Sequence, residues 1–239
     1  MRMGIDCVSR THVGLRRKLN EDAILNCPDR NIWAVADGMG GHEAGEVASA
    51  RIVDALSTIP VSGNLKSRLE TAVALLESVN CSLVDLGKSG FQQRTIGSTV
   101  AGLITCEGGY ACFWAGDSRA YLLRDGAILQ LTRDHSLVQE LVDAGMLDAD
   151  MAENHPNANV VTRAVGATER LQVDSVVGDL FPGDTFLLAS DGLTRLVKDQ
   201  ELLGELAHQP LDTAADRFIE LVLERGAPDN VSLVILRVK

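Results

Sequence analysis

The feature that most limits how this chain can fold is a change of period near residue 97. Before it, Leu65, Leu69, Ala72, Leu76, Val79, Leu83 and Leu86 recur at alternating spacings of four and three, the stripe of a core-packed helix over residues 64–87. After it come short β-prone runs, TVAGLIT, YACFWAG, AYLLR and AILQL, between residues 97 and 131. Asp125-Gly126 separates the last two and predicts a tight hairpin, since both central residues of such a turn need positive φ. Hairpin-linked strands imply antiparallel sheet. With helices in pairs between groups of strands, the pattern predicts a layered α+β fold rather than a doubly wound parallel sheet.

Other segments fit this scheme. IWAVA (32–36) is predicted as a buried strand ending at Asp37, followed by the Gly-rich turn DGMGGHEAG. EVASARIVDAL is predicted as a helix with Ala48, Ile52, Ala55 and Leu56 on one face, and HSLVQELVDAG as a helix stopped at Gly145. Residues 146–161 are polar and patternless, which predicts a surface loop. TFLLAS reads as a strand ending at Asp191. DTAADRFIELVLERG reads as a helix capped by Asp212 and stopped by Gly226, and NVSLVILRV as a closing strand. No linker or internal repeat divides the 239 residues, so a single domain over 1–239 is expected.

Composition narrows the partners. The net charge of −11 argues against a sequence-independent grip on nucleic acid and against an anionic membrane. Five cysteines without a C-x-x-C pair favour a reduced, cytoplasmic protein. MRMGIDCVSR lacks the apolar region of a signal peptide, and no apolar run approaches the roughly 20 residues needed to cross a bilayer.

The chemistry lies in where aspartates fall. Asp37, Asp117, Asp191 and Asp229 each close or open an apolar strand-like run, and Gly38, Ser118 and Gly192 follow the first three. A carboxylate at a strand end is fixed in direction, and several hard oxygen ligands from different strand ends would suit magnesium or manganese. Taken singly, an Asp-Gly pair is more readily a plain turn; four such aspartates at strand ends in one domain shift the balance. Asp22 follows Glu21 in GLRRKLNED and could be ordinary surface charge. Arg17, five residues earlier, would suit a phosphate by bidentate contact, although a lone arginine is usually a surface residue. DGMGGHEAG fails the dinucleotide fingerprint, the P-loop and the EF-hand spacing, and no zinc-protease or serine-hydrolase motif is present.

In order, GLRRKLNED, AVADGMGGHEAGE, IGSTV, WAGDSRAYL, LTRDHS, TRAVG, GDTFLLASDGL and PDNVSLV span the chain from about residue 11 to 236. Together they resemble the bacterial branch of the type 2C (metal-dependent, PPM) protein serine/threonine phosphatases. The resemblance implies two packed antiparallel β-sheets flanked by helix pairs. It implies a centre of two Mn2+ or Mg2+ ions, with a third in bacterial members. Asp37 would bridge the pair, the Gly38 carbonyl would ligate one ion, and Asp191 and Asp229 the other. Asp117 with Asp191 would help hold the third. Asp22 would orient water at the ions, Arg17 would bind phosphate, and Ser98, Thr99 and Asn230 would support the site. The substrates implied are phosphoproteins, with a serine/threonine kinase as cellular opponent, and a monomer is expected. Some small bacterial relatives accompany kinases of type VI secretion. One departure stands out: Met39 occupies the place where animal relatives carry a histidine proposed as general acid, leaving His42 or a second water as candidates.

Overall fold

The computed structural model describes residues 4–40, 44–89, 95–152 and 155–239. In chain order the elements are β1 (Ile5–His12), β2 (Asp22–Cys27), β3 (Ile32–Met39), α1 (Ala44–Ser57), α2 (Leu65–Ser89), β4 (Gly97–Ser98), β5 (Val100–Cys106), β6 (Gly109–Ala115), β7 (Arg119–Arg124), β8 (Ala127–Gln130), α3 (Leu137–Asp143), α4 (Ala149–Ala152), β9 (Asp174–Asp179), β10 (Thr185–Ala189), α5 (Asp191–Thr194), α6 (Asp199–His208), α7 (Leu211–Glu224) and β11 (Val231–Val238).

The strands form two sheets, both antiparallel throughout. One runs β1-β11-β10-β7-β8. The other runs β2-β3-β5-β6-β9, with β4 paired to the far end of β3. The hairpins follow local chemistry. Asp125 and Gly126 sit at φ +51° and +76°, as the β7–β8 turn requires, and Glu107 and Gly108 do the same between β5 and β6.

Alternation along the strands sorts their side chains into three cores. Between the sheets lie Trp33, Val35, Leu103 and Cys112 from one and Leu122, Phe186, Leu188 and Val234 from the other. Tyr110 meets Phe186 edge-on across that gap, with ring centroids 5.0 Å apart. On the outer face of the β3 sheet, Ile32, Ala34 and Ala36 pack against Ile52 and Leu56 of α1 and Leu76 and Leu83 of α2. On the outer face of the other sheet, Leu187, Leu233 and Ile235 pack against Leu202 and Leu206 of α6 and Phe218 and Val222 of α7. The layers are therefore helix pair, sheet, sheet, helix pair. A strand covered on both faces has no polar side, which is why IWAVA reads as one apolar run. Each fully buried large side chain contributes about 1.5–3 kcal/mol through area removed from water.

Some local expectations change. The strand expected to end at Asp37 continues through Gly38 to Met39, because β4 supplies a partner for the extra residues. Pro210, not Asp212, is the cap residue of α7, and Asp212 lies in the first turn. The 146–161 segment is not patternless throughout, since it holds the single-turn helix α4. The five cysteines are free. Among the described residues no helix is long and apolar enough to cross a membrane.

Candidate active site

The aspartates converge because one end of both sheets is drawn together. Asp22 opens β2 and pairs in register with Asp37 near the end of β3. Asp191 opens α5 directly after β10, and Asp229 lies two residues before β11. Asp117 lies in the bend between β6 and β7. A cavity of about 270 Å3 at this end is lined by Arg17, Asp37, Gly38, Asp117, Asp191 and Asp229, among others. Asp22 is not on its wall; it is half-buried, with its Oδ1 enclosed.

Two glycines permit the close approach. A Cβ on Gly38 would stand 2.1 Å from the Gly45 carbonyl oxygen and 2.6 Å from that of Glu21, so only glycine lets α1 seat on β3 here. A Cβ on Gly192 would lie 1.9 Å from the Asn230 carbonyl oxygen, so glycine brings the start of α5 against the start of β11. Those two positions bring Asp37, Asp191 and Asp229 into one neighbourhood.

Hydrogen bonds hold the supports. The Thr99 hydroxyl accepts from the Asp37 backbone N–H at 3.1 Å and shares a 2.6 Å hydrogen bond with Ser118, next to Asp117. Asn230 accepts from the Glu21 N–H at 2.9 Å and donates to the carbonyls of Val13 and Leu19 at 2.8 and 2.9 Å. That one amide fastens the loop carrying Arg17 to the start of β11. Ser190 donates its hydroxyl proton to Asp22 Oδ2 at 2.9 Å. Ser98 pairs through its backbone with Val165 on both sides.

The electrostatics are those of crowded acids. Burial, opposed in part by hydrogen bonds from Ser232 and Ser190 and reinforced by Asp191 and Asp229, pushes the Asp22 carboxyl up to about 7. Burial and Asp191 push Asp117 up to about 7 as well, with Arg195 opposing. Asp37 lies well above the usual carboxylate range, through burial and then Asp191, Asp22, Asp117 and Asp229. Asp191 is raised by burial, although the Arg195 guanidinium counteracts it, and the charge of Asp229 adds to the rise. Three carboxylate oxygens, Glu21 Oε1, Asp22 Oδ1 and Asp191 Oδ1, are buried without a hydrogen-bond partner among the described residues. Orphaned acceptors and mutual repulsion are what a bound cation relieves, and an all-oxygen donor set suits Mg2+ or Mn2+. Among the described residues no group of three or more His, Cys, Asp or Glu side chains is already gathered tightly enough to hold an ion. Arginines engage the carboxylates instead: Arg17 Nη2 lies 2.6 Å from Asp229 Oδ2, and Arg195 Nη2 lies 2.8 Å from Asp191 Oδ2.

The family model described as protein phosphatase 2C matches residues 12–232. The chain belongs to that family. PstP of Mycobacterium tuberculosis, a serine/threonine protein phosphatase, is 35% identical over 230 residues. The match covers 95% of this chain but 44% of PstP, so the chain spans less than half the length of that relative. PppA, described as a key regulatory component of T6SS in Pseudomonas aeruginosa, is 40% identical, with a TM-score of 0.90 and 98% of both chains covered. The catalytic domain of PstP in complex with two manganese ions is 33% identical, with a TM-score of 0.88 and 99% of both chains covered.

Of the family-implied positions, Arg17, Asp37, Gly38, Thr99, Asp117, Asp191, Asp229 and Asn230 share the cavity wall, while Asp22 and Ser98 do not line it. His42 lies outside the described residues. Sequence reasoning missed Arg195, Ser190 as the partner of Asp22, and Asn159 of the insert. Arg195 had a signal: it follows Asp191 by four residues, the spacing at which helix side chains meet.

Proposed function

We propose that this chain is a metal-dependent protein phosphatase that hydrolyses phosphoserine and phosphothreonine, reversing the action of a serine/threonine kinase. The observation that carries this reading is the gathering of five aspartates at one end of the sheets, where buried carboxylate oxygens of Glu21, Asp22 and Asp191 have no partner among the described residues. Asp37, Asp191, Asp229 and the Gly38 carbonyl are the residues that would hold two divalent ions. Bound there, the ions supply positive charge that acidifies water and offsets charge on the phosphoryl oxygens.

The chain's own groups do the rest. Ser190 donates to Oδ2 of Asp22 and fixes that carboxylate, which would orient water at the ions from beside the cavity wall. Arg17 releases Asp229 and turns its guanidinium to two oxygens of the phosphate, a bidentate contact that a half-exposed side chain can reach. Met39 has no proton to give, so protonation of the leaving oxygen falls to another group. Likeness to PppA supports placing a phosphoprotein of a T6SS among the substrates.

The deciding experiment follows phosphate release from a phosphothreonine peptide with Mn2+ and with excess chelator. Rapid release with Mn2+ and none with chelator is expected; full activity in chelator would sink the metal-dependent reading.

A further inference from the structure

Arg195 has no part in the phosphate chemistry above, yet it is the most heavily engaged cation at the site. It lies one turn after Asp191, at the end of α5, and its backbone N–H donates to the Asp191 carbonyl at 3.0 Å. Its Nη2 stands 2.8 Å from Asp191 Oδ2 and 3.3 Å from Asp117 Oδ2. Its Nη1 donates to the side-chain oxygen of Asn159, in the segment between α4 and β9. One guanidinium thus closes on two carboxylates and an amide from three separate stretches of chain.

We infer that Arg195 is the built-in cation of the Asp117–Asp191 pair, so that this chain takes two divalent ions and not the third that bacterial family members are expected to hold there. An ion shared by Asp117 and Asp191 has to lie between their oxygens, where Nη2 already sits. A guanidinium stays protonated at every pH a protein survives, so it cannot yield by losing its charge. It cannot retreat far either, because it is tied by its own helical turn to the carboxylate it neutralises. Asp117 is almost wholly buried, with 7% of its side chain exposed, so its end of the pairing is shielded from water. On the Asp37 and Asp229 side of the cluster the arginine is Arg17, which makes a single ion pair from a loop.

The inference rests on the proposed metal centre, and ion counting separates the two. Purified full-length chain would be dialysed to equilibrium against saturating Mn2+ and its metal content measured per chain. This would be done for wild type, Arg195→Met, Asp117→Asn and the Arg195→Met/Asp117→Asn double variant. Methionine keeps the apolar stem of Arg195 and removes the charge. Expected are two ions on wild type, two on Asp117→Asn, three on Arg195→Met and two on the double variant. Three ions on wild type, or no gain on a folded Arg195→Met, overturns the role of Arg195 and leaves the two-ion centre standing. No ion on any of the proteins overturns both. Should Arg195→Met fail to fold, wild type against Asp117→Asn still decides: loss of an ion on removing the Asp117 charge overturns the inference, and an unchanged count supports it.

Discussion

Arg17 and Arg195 both press a guanidinium onto the aspartate cluster, but from unlike supports. Arg17 comes from the loop between β1 and β2, which Asn230 fastens only at its two ends, and half of its side chain is exposed. Arg195 comes from the end of a helix that begins with its own partner, Asp191, and is tied to two further segments. A cation on a loop with one contact can let go and take a ligand; a cation bound into three segments is part of the wall. In the proposed function the same side chain would serve as a substrate clamp at one edge of the cavity and as fixed charge at the other.

Asp37 faces the carboxylates that both arginines neutralise, and its loss should erase the difference between the two edges. Asp37→Asn is expected to remove several kcal/mol of transition-state stabilisation, on the order of a thousand-fold in kcat, with the fold retained. Near wild-type turnover in the folded, metal-loaded variant would place the chemistry elsewhere.

At the loop edge, Arg17→Ala should raise the KM for a phosphopeptide. It should cost about 1.5–3 kcal/mol, ten- to a hundred-fold in kcat/KM, while Mn2+ binding persists. Arg16→Ala is the control. If both variants match wild type in steady-state kinetics, Arg17 is a surface residue.

Beside the wall, Asp22 sharpens the comparison through pH. Its carboxyl ionises near 3.8 in the unfolded chain and near 7 in the metal-free fold. The unfolded state thus gains charge first as pH rises. The contribution of Asp22 to stability is intact below pH 4 and is lost as pH climbs through 7. Without metal, Asp22→Asn should be more stable than wild type at pH 8, by an amount on the order of a few kcal/mol, and equal to it at pH 4. Thermal melts in chelator at the two pH values check this. A variant less stable at pH 8 would show that the hydrogen bond from Ser190 outweighs the burial of charge.

The smallest effect is expected in the insert between α3 and β9, whose Asn159 and Val161 reach the cavity wall. Met146 and Met151 are 70% and 59% exposed on it. Replacing both with alanine should weaken hydrolysis of a phosphoprotein by about 1 kcal/mol, roughly five-fold, and leave a small aryl phosphate unaffected. Equal losses on both substrates would make the insert a structural element only.

Much of this was legible in the chain because it is written locally. The stripe from Leu65 to Leu86 specifies α2 through helical period, Asp125-Gly126 specifies its hairpin through positive φ, and the ordered motifs carry the family and its aspartates. The strands β1, β2 and β9 were not legible. Each is a sheet edge with one half-buried face, as in the alternating exposure of Asp174–Asp179, and its side chains carry little apolar signal. The extension of β3 to Met39 came from β4, a partner about sixty residues away that no local pattern announces. The cluster itself also needed the fold. Asp22 and Asp191 are 169 residues apart, yet the charge of Asp191 raises the proton affinity of Asp22. Which carboxylate Arg17 would pair with, and that Arg195 would bridge two of them, depended on loop positions set by the Gly192–Asn230 approach and by the Asn230 amide. The sequence by itself determined the donor types and their order, because those follow from residue identity. Only the tertiary structure decided which charges neutralise which, because Coulomb attraction depends on distances that two packed sheets establish between residues far apart in the chain.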